Sequence, residues 1–203
     1  MIVKVCGMRD AENIRAVEAL GIDMMGFIFW PKSSRYVSER PAYLPTSCQR
    51  VGVFVDESID KVMQYAAAFQ LDVIQLHGGE SPEYVSRLKG LKVIKAFNIA
   101  TADDLKQVKL YEGLADCFLF DAKGRSVGGN GTQFDWDVLQ GYTGKTPFLL
   151  SGGIGPDDAG RVTDFEHPRC IGIDLNSRFE TAPGLKDVNK LKAFLEKVKK
   201  VKK

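Results

Sequence analysis

The sequence predicts an α/β fold, specifically a single-domain (β/α)8 barrel (TIM barrel) of minimal size. Short apolar runs alternate with amphipathic segments along all 203 residues, and no linker or composition shift divides the chain. Eight such units leave about 25 residues per unit, near the lower limit for this barrel. The runs are nearly continuous, as is typical of parallel strands covered on both faces. A doubly wound open sheet is the competing fold, but no GxGxxG follows the first run.

The eight apolar runs are the candidate strands. Each is five or six residues long, which favours strands over buried helices. We expect strands at residues 2–6, 24–29, 50–55, 72–77, 92–97, 117–121, 147–151 and 170–175.

Helical spacing of apolar residues appears between the strands. Asp10 precedes Ile14, Val17 and Leu20 and suits the position that caps a first helix. The same spacing recurs at positions 59, 62, 66 and 69, and in a last helix at positions 188, 191, 195 and 198. Segment 38–48 is the weakest, because Pro41 and Pro45 leave room for little more than a turn or two.

Composition restricts the partners. The 28 Lys plus Arg and 26 Asp plus Glu nearly cancel, so no nucleic acid is expected, and the basic run 197–203 suits a frayed tail after the last helix. We expect a cytoplasmic protein without membrane association, because no signal peptide or long apolar run is present. The four cysteines form no CxxC pair and there are two histidines, so no metal is expected. No extended apolar surface is evident, and a monomer is expected.

Several polar residues lie where the predicted strands end, which is the rim that binds ligands in such barrels. Cys6 ends the first strand, although a free cysteine is equally suited to plugging a core. His77 precedes two glycines and could simply hydrogen-bond a turn. Asp121 directly follows an apolar strand, where an unpartnered carboxylate is costly, so a function is favoured. Arg35 is either a surface residue or a fork of donors for an anion.

The last two strand ends indicate a phosphate site. Gly152 and Gly153 follow strand seven, and Asn176 and Ser177 follow Asp174 at the end of strand eight. Glycines let an anion approach the backbone, and a short extra helix after strand eight would offer free N–H groups. Barrels often bind phosphate at these two loops.

Taken together, these motifs resemble the phosphoribosylanthranilate isomerase family over essentially the whole chain. The matching stretches lie, in order, at residues 4–7, 26–29 with 34–35, 51–55, 75–78, 120–121, 128–132, 134–136, 151–153, 174–177 and 183–187. Three positions depart from the family pattern: Arg178 stands where many members have glycine, and Met8-Arg9 replaces an aliphatic-Thr pair.

The resemblance implies an Amadori rearrangement of N-(5-phosphoribosyl)anthranilate, a small-molecule substrate, in tryptophan biosynthesis. It implies Asp121 as the acid that opens the ribose ring and Cys6 as the base that removes the C2 proton. Asp121 must then hold a proton near neutral pH, which burial favours, and Cys6 must be a thiolate. Arg35 suits the anthranilate carboxylate, and His77 and Asp174 suit substrate hydroxyls or the amine. No cofactor is implied.

Two alternatives stay open from the residues alone. One is another sugar-phosphate isomerase or epimerase barrel, and the other is a non-catalytic phosphate-binding barrel. Strand parity adds a hypothesis: Lys4 should point into the barrel like Cys6, pair with a rim carboxylate and favour the thiolate. Alternatively, the strand is irregular and Lys4 reaches solvent.

Overall fold

The barrel predicted from the sequence is confirmed by a computed structural model, which describes residues 1–88, 90–122 and 136–200. Over these residues, eight parallel strands close into one barrel, and β1 pairs with both β2 and β8. The strands are β1 Ile2–Val5, β2 Met24–Ile28, β3 Gln49–Phe54, β4 Val73–Leu76, β5 Lys92–Ile99, β6 Cys117–Ala122, β7 Phe148–Ser151 and β8 Cys170–Leu175. Predicted and observed bounds agree within two residues.

Helices connect the strands on the outside of the barrel. Asp10 caps the first helix as predicted, because its carboxylate accepts the N–H of Asn13 at 2.8 Å. The α-helices are α1 Ala11–Glu18, α2 Ile59–Phe69, α3 Pro82–Ser86, α4 Leu105–Val108, α5 Ala159–Asp164 and α6 Val188–Lys200. Single 3₁₀ segments occur at Ala102–Asp104, Lys109–Tyr111, Trp136–Gly141 and Ser177–Phe179.

Alternation along the strands separates two apolar layers. A small cluster that includes Val51, Val73 and Leu119 fills the barrel interior. Side chains of the opposite parity, such as Phe118 and Phe120 of β6, pack outward against the helices in the main core. The interior cluster therefore forms the floor beneath the rim at the carboxyl ends of the strands.

The connection between β2 and β3 lacks a regular helix over residues 38–48, as the prolines predicted. Glu18 at the end of α1 anchors it instead. Its Oε1 accepts the N–H groups of Thr46 and Ser47, both at 2.6 Å, and its Oε2 accepts the Tyr43 hydroxyl at 2.5 Å. These hydrogen bonds favour the ionised carboxylate and lower the pKa of Glu18 to about 2, although burial opposes them.

The chain ends with a two-stranded hairpin and α6. The hairpin comprises β9 Glu180–Ala182 and β10 Leu185–Lys186 and follows β8 along the chain. The predicted basic tail is helical up to Lys200, with Val198 buried, and residues 201–203 lie outside the described part. The motif residues 128–132 and 134–135 also lie outside it. Within the described ranges, the helices are all too short or too polar to cross a membrane.

Candidate active site

A cavity of about 200 Å³ opens at the carboxyl ends of the strands. Eight of the nine site residues predicted from the sequence line it, and Arg35 is the exception. The lining residues are Cys6, Ile28, Val53, Gln75, His77, Asp121, Ser151, Gly152, Gly153, Ile154, Asp174, Asn176 and Ser177. The topology brings these residues together because every parallel strand ends at the same rim.

Cys6 directly follows β1 and is 4% exposed. Its N–H donates to the Leu175 carbonyl at 2.9 Å, which holds it against β8. Gly26 of β2 makes room for the thiol, because a Cβ at that position would lie 2.7 Å from the Cys6 Sγ. The position of the sulfur therefore depends on a small residue in the neighbouring strand.

Lys4 is a buried cation, as strand parity predicted. Its ammonium group has no exposed surface and donates to the Asp174 Oδ1 at 2.8 Å. Asp174 also accepts the Ser151 hydroxyl at 3.3 Å. Burial by itself lowers the pKa of Lys4, but the Asp174 carboxylate and Cys6 together raise it above its ordinary value. Lys4 is thus a permanent positive charge beneath the cavity.

The predicted thiolate at Cys6 is not favoured by the structure. Burial raises the pKa of Cys6 above its ordinary value, and the negative charge of Asp174 adds to this. The ammonium groups of Lys4 and Lys186 lower it, but they do not outweigh burial. The sequence located the cation correctly, yet the desolvation of the sulfur could not be judged before the fold was known.

Asp121 and His77 lie side by side across the rim. The His77 Nε2 is 3.5 Å from the Asp121 Oδ2, and the two side chains are 28% and 20% exposed. The carboxylate is therefore less buried than its apolar strand suggested. The imidazole supplies the partner that a carboxylate at this position needs.

Arg35 lies just outside the cavity, where its guanidinium is engaged by Glu180 of β9. The Nε and Nη2 donate to both carboxylate oxygens at 2.5 to 3.0 Å. Lys186 of β10, which is also buried, donates to Glu180 at 2.6 Å and to the Asn176 side chain at 2.8 Å. The two cations and one carboxylate carry one net positive charge. The Nη1 of Arg35 makes only a long contact of 3.5 Å with the Ser34 hydroxyl.

The predicted phosphate loops adjoin one another at the rim. Gly152 and Gly153 have φ of +93° and +72°, a conformation that L side chains rarely adopt. A Cβ added at Gly153 would meet no atom within 4 Å, so the space beside this backbone is open. Ser177 begins a 3₁₀ turn that ends at Phe179, which is shorter than the extra helix predicted.

Comparison with known proteins identifies the family. The family model for N-(5'-phosphoribosyl)anthranilate (PRA) isomerase matches residues 3–197. An N-(5'-phosphoribosyl)anthranilate isomerase from Phocaeicola vulgatus is 54% identical over 98% of both chains. The chain belongs to this family.

Solved structures of the family have the same barrel. The phosphoribosyl anthranilate isomerase from Thermotoga maritima is 33% identical with a TM-score of 0.85, covering 98% of this chain and all of that one. A second is in complex with reduced 1-(o-carboxyphenylamino)-1-deoxyribulose 5-phosphate and is 31% identical, with a TM-score of 0.83 and the same coverage. The Thermotoga maritima enzyme is also described as dimeric.

Asp56 and Asn98 also lie near strand ends, but neither lines this cavity. Asp56 accepts the Gly79 N–H at 2.7 Å and shapes a loop, and Asn98 is exposed. The sequence did not single out Gln75 in the cavity, or Glu180 and Lys186 beside Arg35, as site residues. Gln75 shares the parity of His77, which could have indicated it, whereas the contact of Glu180 with Arg35 spans 145 positions. Among the described residues, His, Cys, Asp and Glu form no group of three suited to a metal ion.

Proposed function

We propose that this chain catalyses the Amadori rearrangement of N-(5-phosphoribosyl)anthranilate to 1-(2-carboxyphenylamino)-1-deoxy-D-ribulose 5-phosphate in tryptophan biosynthesis, with Asp121 as general acid and Cys6 as general base. The carrying observation is that one cavity holds both residues above the buried Lys4–Asp174 pair. Membership of the isomerase family supports the reaction, and the geometry supports the assignment of roles.

The acid acts first. Asp121 donates its proton to the ribose ring oxygen, the bond from that oxygen to C1 breaks, and the anthranilate nitrogen becomes an iminium. The carboxylate formed on Asp121 lies beside the His77 imidazole, which is 3.5 Å away and can donate to it. Charge that develops during ring opening is thereby matched by a nearby donor.

The base acts second. Cys6 removes the proton from C2, the electron pair of that bond moves into a C1–C2 double bond, and the iminium nitrogen becomes neutral. Tautomerisation of the resulting enolamine gives the ketose. Lys4 and Lys186 favour the thiolate that this step requires, because each lowers the pKa of Cys6 against the effect of burial. The two cations are positioning residues in this scheme.

Recognition of the substrate's two ends is proposed as follows. The anthranilate carboxylate binds the Nη1 side of Arg35, since Glu180 holds the other edge of the guanidinium. The phosphate lies against the backbone of two segments, Gly152-Gly153 and the turn at Asn176 and Ser177, which together form the phosphate loops. His77 and Asp174 contact substrate hydroxyls or the amine. The monomeric state and the cytoplasmic location remain predictions.

Two measurements test the proposal. Asp121→Asn and Cys6→Ala should each lower kcat by about 10²–10⁴-fold, the usual range for general acid–base steps, with the affinity for a product analogue largely kept. Glu12→Gln, at an exposed position of α1, is the control and should keep full activity. If either site variant retained more than about a tenth of wild-type kcat, its assigned role would be wrong.

Rescue of a tryptophan auxotroph separates the alternatives. The wild-type chain should restore growth without added tryptophan, whereas Cys6→Ala should not. If the chain were instead another sugar-phosphate isomerase, an epimerase or a non-catalytic phosphate-binding barrel, the wild-type chain would also fail to restore growth.

A further inference from the structure

Gln75 is a buried polar residue of the cavity to which the acid–base scheme gives no role. It lies in β4 two residues before His77, so both side chains point into the barrel. The side chain is 1% exposed, and it lines the same cavity as Cys6 and Asp121. Burial of a side-chain amide in the barrel interior is costly unless its N–H and C=O groups make hydrogen bonds.

The amide nitrogen of Gln75 determines which nitrogen of His77 carries the proton. The Gln75 Nε2 lies 3.0 Å from the His77 Nδ1. An amide NH₂ only donates, so the Nδ1 of a neutral imidazole must accept, and the ring proton is then on Nε2. That Nε2 is the atom 3.5 Å from the Asp121 Oδ2. Gln75 thus places the ring proton on the nitrogen that lies nearest to Asp121.

The amide oxygen of Gln75 has a different situation. The Oε1 is buried and has no hydrogen-bond partner among the residues that the structure describes. A buried acceptor left without a donor is costly, and such atoms in native proteins call for an explanation. The residue lines the cavity, and the proposed substrate carries ribose hydroxyls and an anilino N–H, which are all donors.

We infer that Gln75 is a positioning and substrate-binding residue: its Nε2 fixes the His77 tautomer that faces Asp121, and its Oε1 accepts a hydrogen bond from a hydroxyl or the amine of the substrate. The second half rests on the proposed function, whereas the first concerns the protein without ligand. The two amide atoms are assigned different partners, so one residue links the acid to the position of the substrate.

The tautomer is measured by ¹⁵N NMR of the imidazole nitrogens. The chain has two histidines, and His167 is an internal reference. The His167 Nδ1 accepts the Arg169 N–H at 3.0 Å and its Nε2 lies 3.1 Å from the Tyr142 carbonyl, so the backbone fixes its tautomer. Both histidines of the wild type should show the proton on Nε2 near neutral pH.

Two variants separate the tautomer from the shape of the side chain. Gln75→Glu keeps the size but offers only acceptors, so it should place a proton on the His77 Nδ1. Gln75→Leu removes both hydrogen bonds and should give a mixture of tautomers. His167 should stay unchanged in both. A wild-type His77 protonated on Nδ1 alone, or a Gln75→Glu protein with a bare Nδ1, would overturn the first half.

Ligand binding tests the second half. Gln75→Leu should bind reduced 1-(o-carboxyphenylamino)-1-deoxyribulose 5-phosphate about 10-fold more weakly, as expected for one lost hydrogen bond in a buried site. Inhibition by inorganic phosphate should be unchanged, because the phosphate loops do not include Gln75. Unchanged affinity for the reduced analogue would overturn this half. A wild-type protein without isomerase turnover would instead contradict the proposed function, and the NMR result would still stand or fall separately.

Discussion

Replacement of Lys4 by methionine should raise the pKa of the Cys6 thiol further. The substitution removes a buried positive charge and leaves the Asp174 carboxylate, which itself raises the pKa of Cys6, without its 2.8 Å partner. An opposite charge at close range typically shifts a pKa by about 1–3 units. The thiolate fraction at pH 7.5 should therefore fall by about 10- to 1000-fold, because the thiol already predominates.

The assay is alkylation or thiolation of Cys6 by a small reagent, followed by mass spectrometry across pH. Because a thiolate of higher pKa is intrinsically more nucleophilic, the observed slowing is smaller, about 3- to 30-fold. Cys48 is the internal control, since burial and Glu18 raise its pKa to about 12 and the charges with the largest effects on it do not include Lys4. Its rate should not change.

A second variant reverses the expected sign. Asp174→Asn removes the negative charge and leaves Lys4 with Cys6 as its remaining acidic neighbour, so the apparent thiol pKa should fall and modification should become faster.

Lys4→Met is expected to cost about 3–5 kcal/mol of stability, because it leaves a buried carboxylate unpaired, so folding must be checked by urea unfolding. An unmoved Cys6 profile in folded Lys4→Met would refute the electrostatic link.

Two further expectations concern the phosphate and the anchor of the helix-free connection. Gly153→Val should abolish the competition of inorganic phosphate with substrate, whereas Ser177→Ala should weaken that competition only slightly. Gly113 is the control position: its φ is +75° with open space around it, so Gly113→Val carries the same backbone strain away from the cavity and should leave the competition intact. If inorganic phosphate competed with substrate equally well in all three variants, the phosphate would have to bind somewhere other than the phosphate loops. Glu18→Gln should lower the free energy of unfolding at pH 7 by about 2 kcal/mol. This difference from wild type should disappear as the pH falls from 4.5 to about 2, because the native Glu18 carboxylate, whose pKa is lowered to about 2, becomes protonated in that range. Glu12→Gln on the same helix should change stability by less than about 0.5 kcal/mol at both pH values, and a pH-independent difference for Glu18→Gln would contradict the assigned pKa.

The order of strands, the capping of the first helix by Asp10 and most of the polar residues at the rim could be predicted from the sequence. These features depend on local preferences and on the periodicity of buried side chains, both of which are written in neighbouring residues. Lys4 belongs to the same group, because a strand that alternates faces places it beside Cys6 whatever the rest of the chain does. Even the missing helix over residues 38–48 follows from its two prolines.

The tertiary structure alone determined the ion pairs, pKa shifts and hydrogen bonding of the site. The pairing of Arg35 with Glu180, the contact of Lys186 with the same carboxylate and the anchoring of the β2–β3 connection by Glu18 join residues far apart in sequence. The pKa of Cys6 depends on how completely the barrel excludes water from the sulfur, and that desolvation outweighs the two cations. The tautomer of His77 depends on which atom of the Gln75 amide meets it at 3.0 Å. Residue types and spacing determine which groups reach the rim, but burial and long-range contacts determine their charge and hydrogen bonding, because both depend on distances that exist only after the barrel closes.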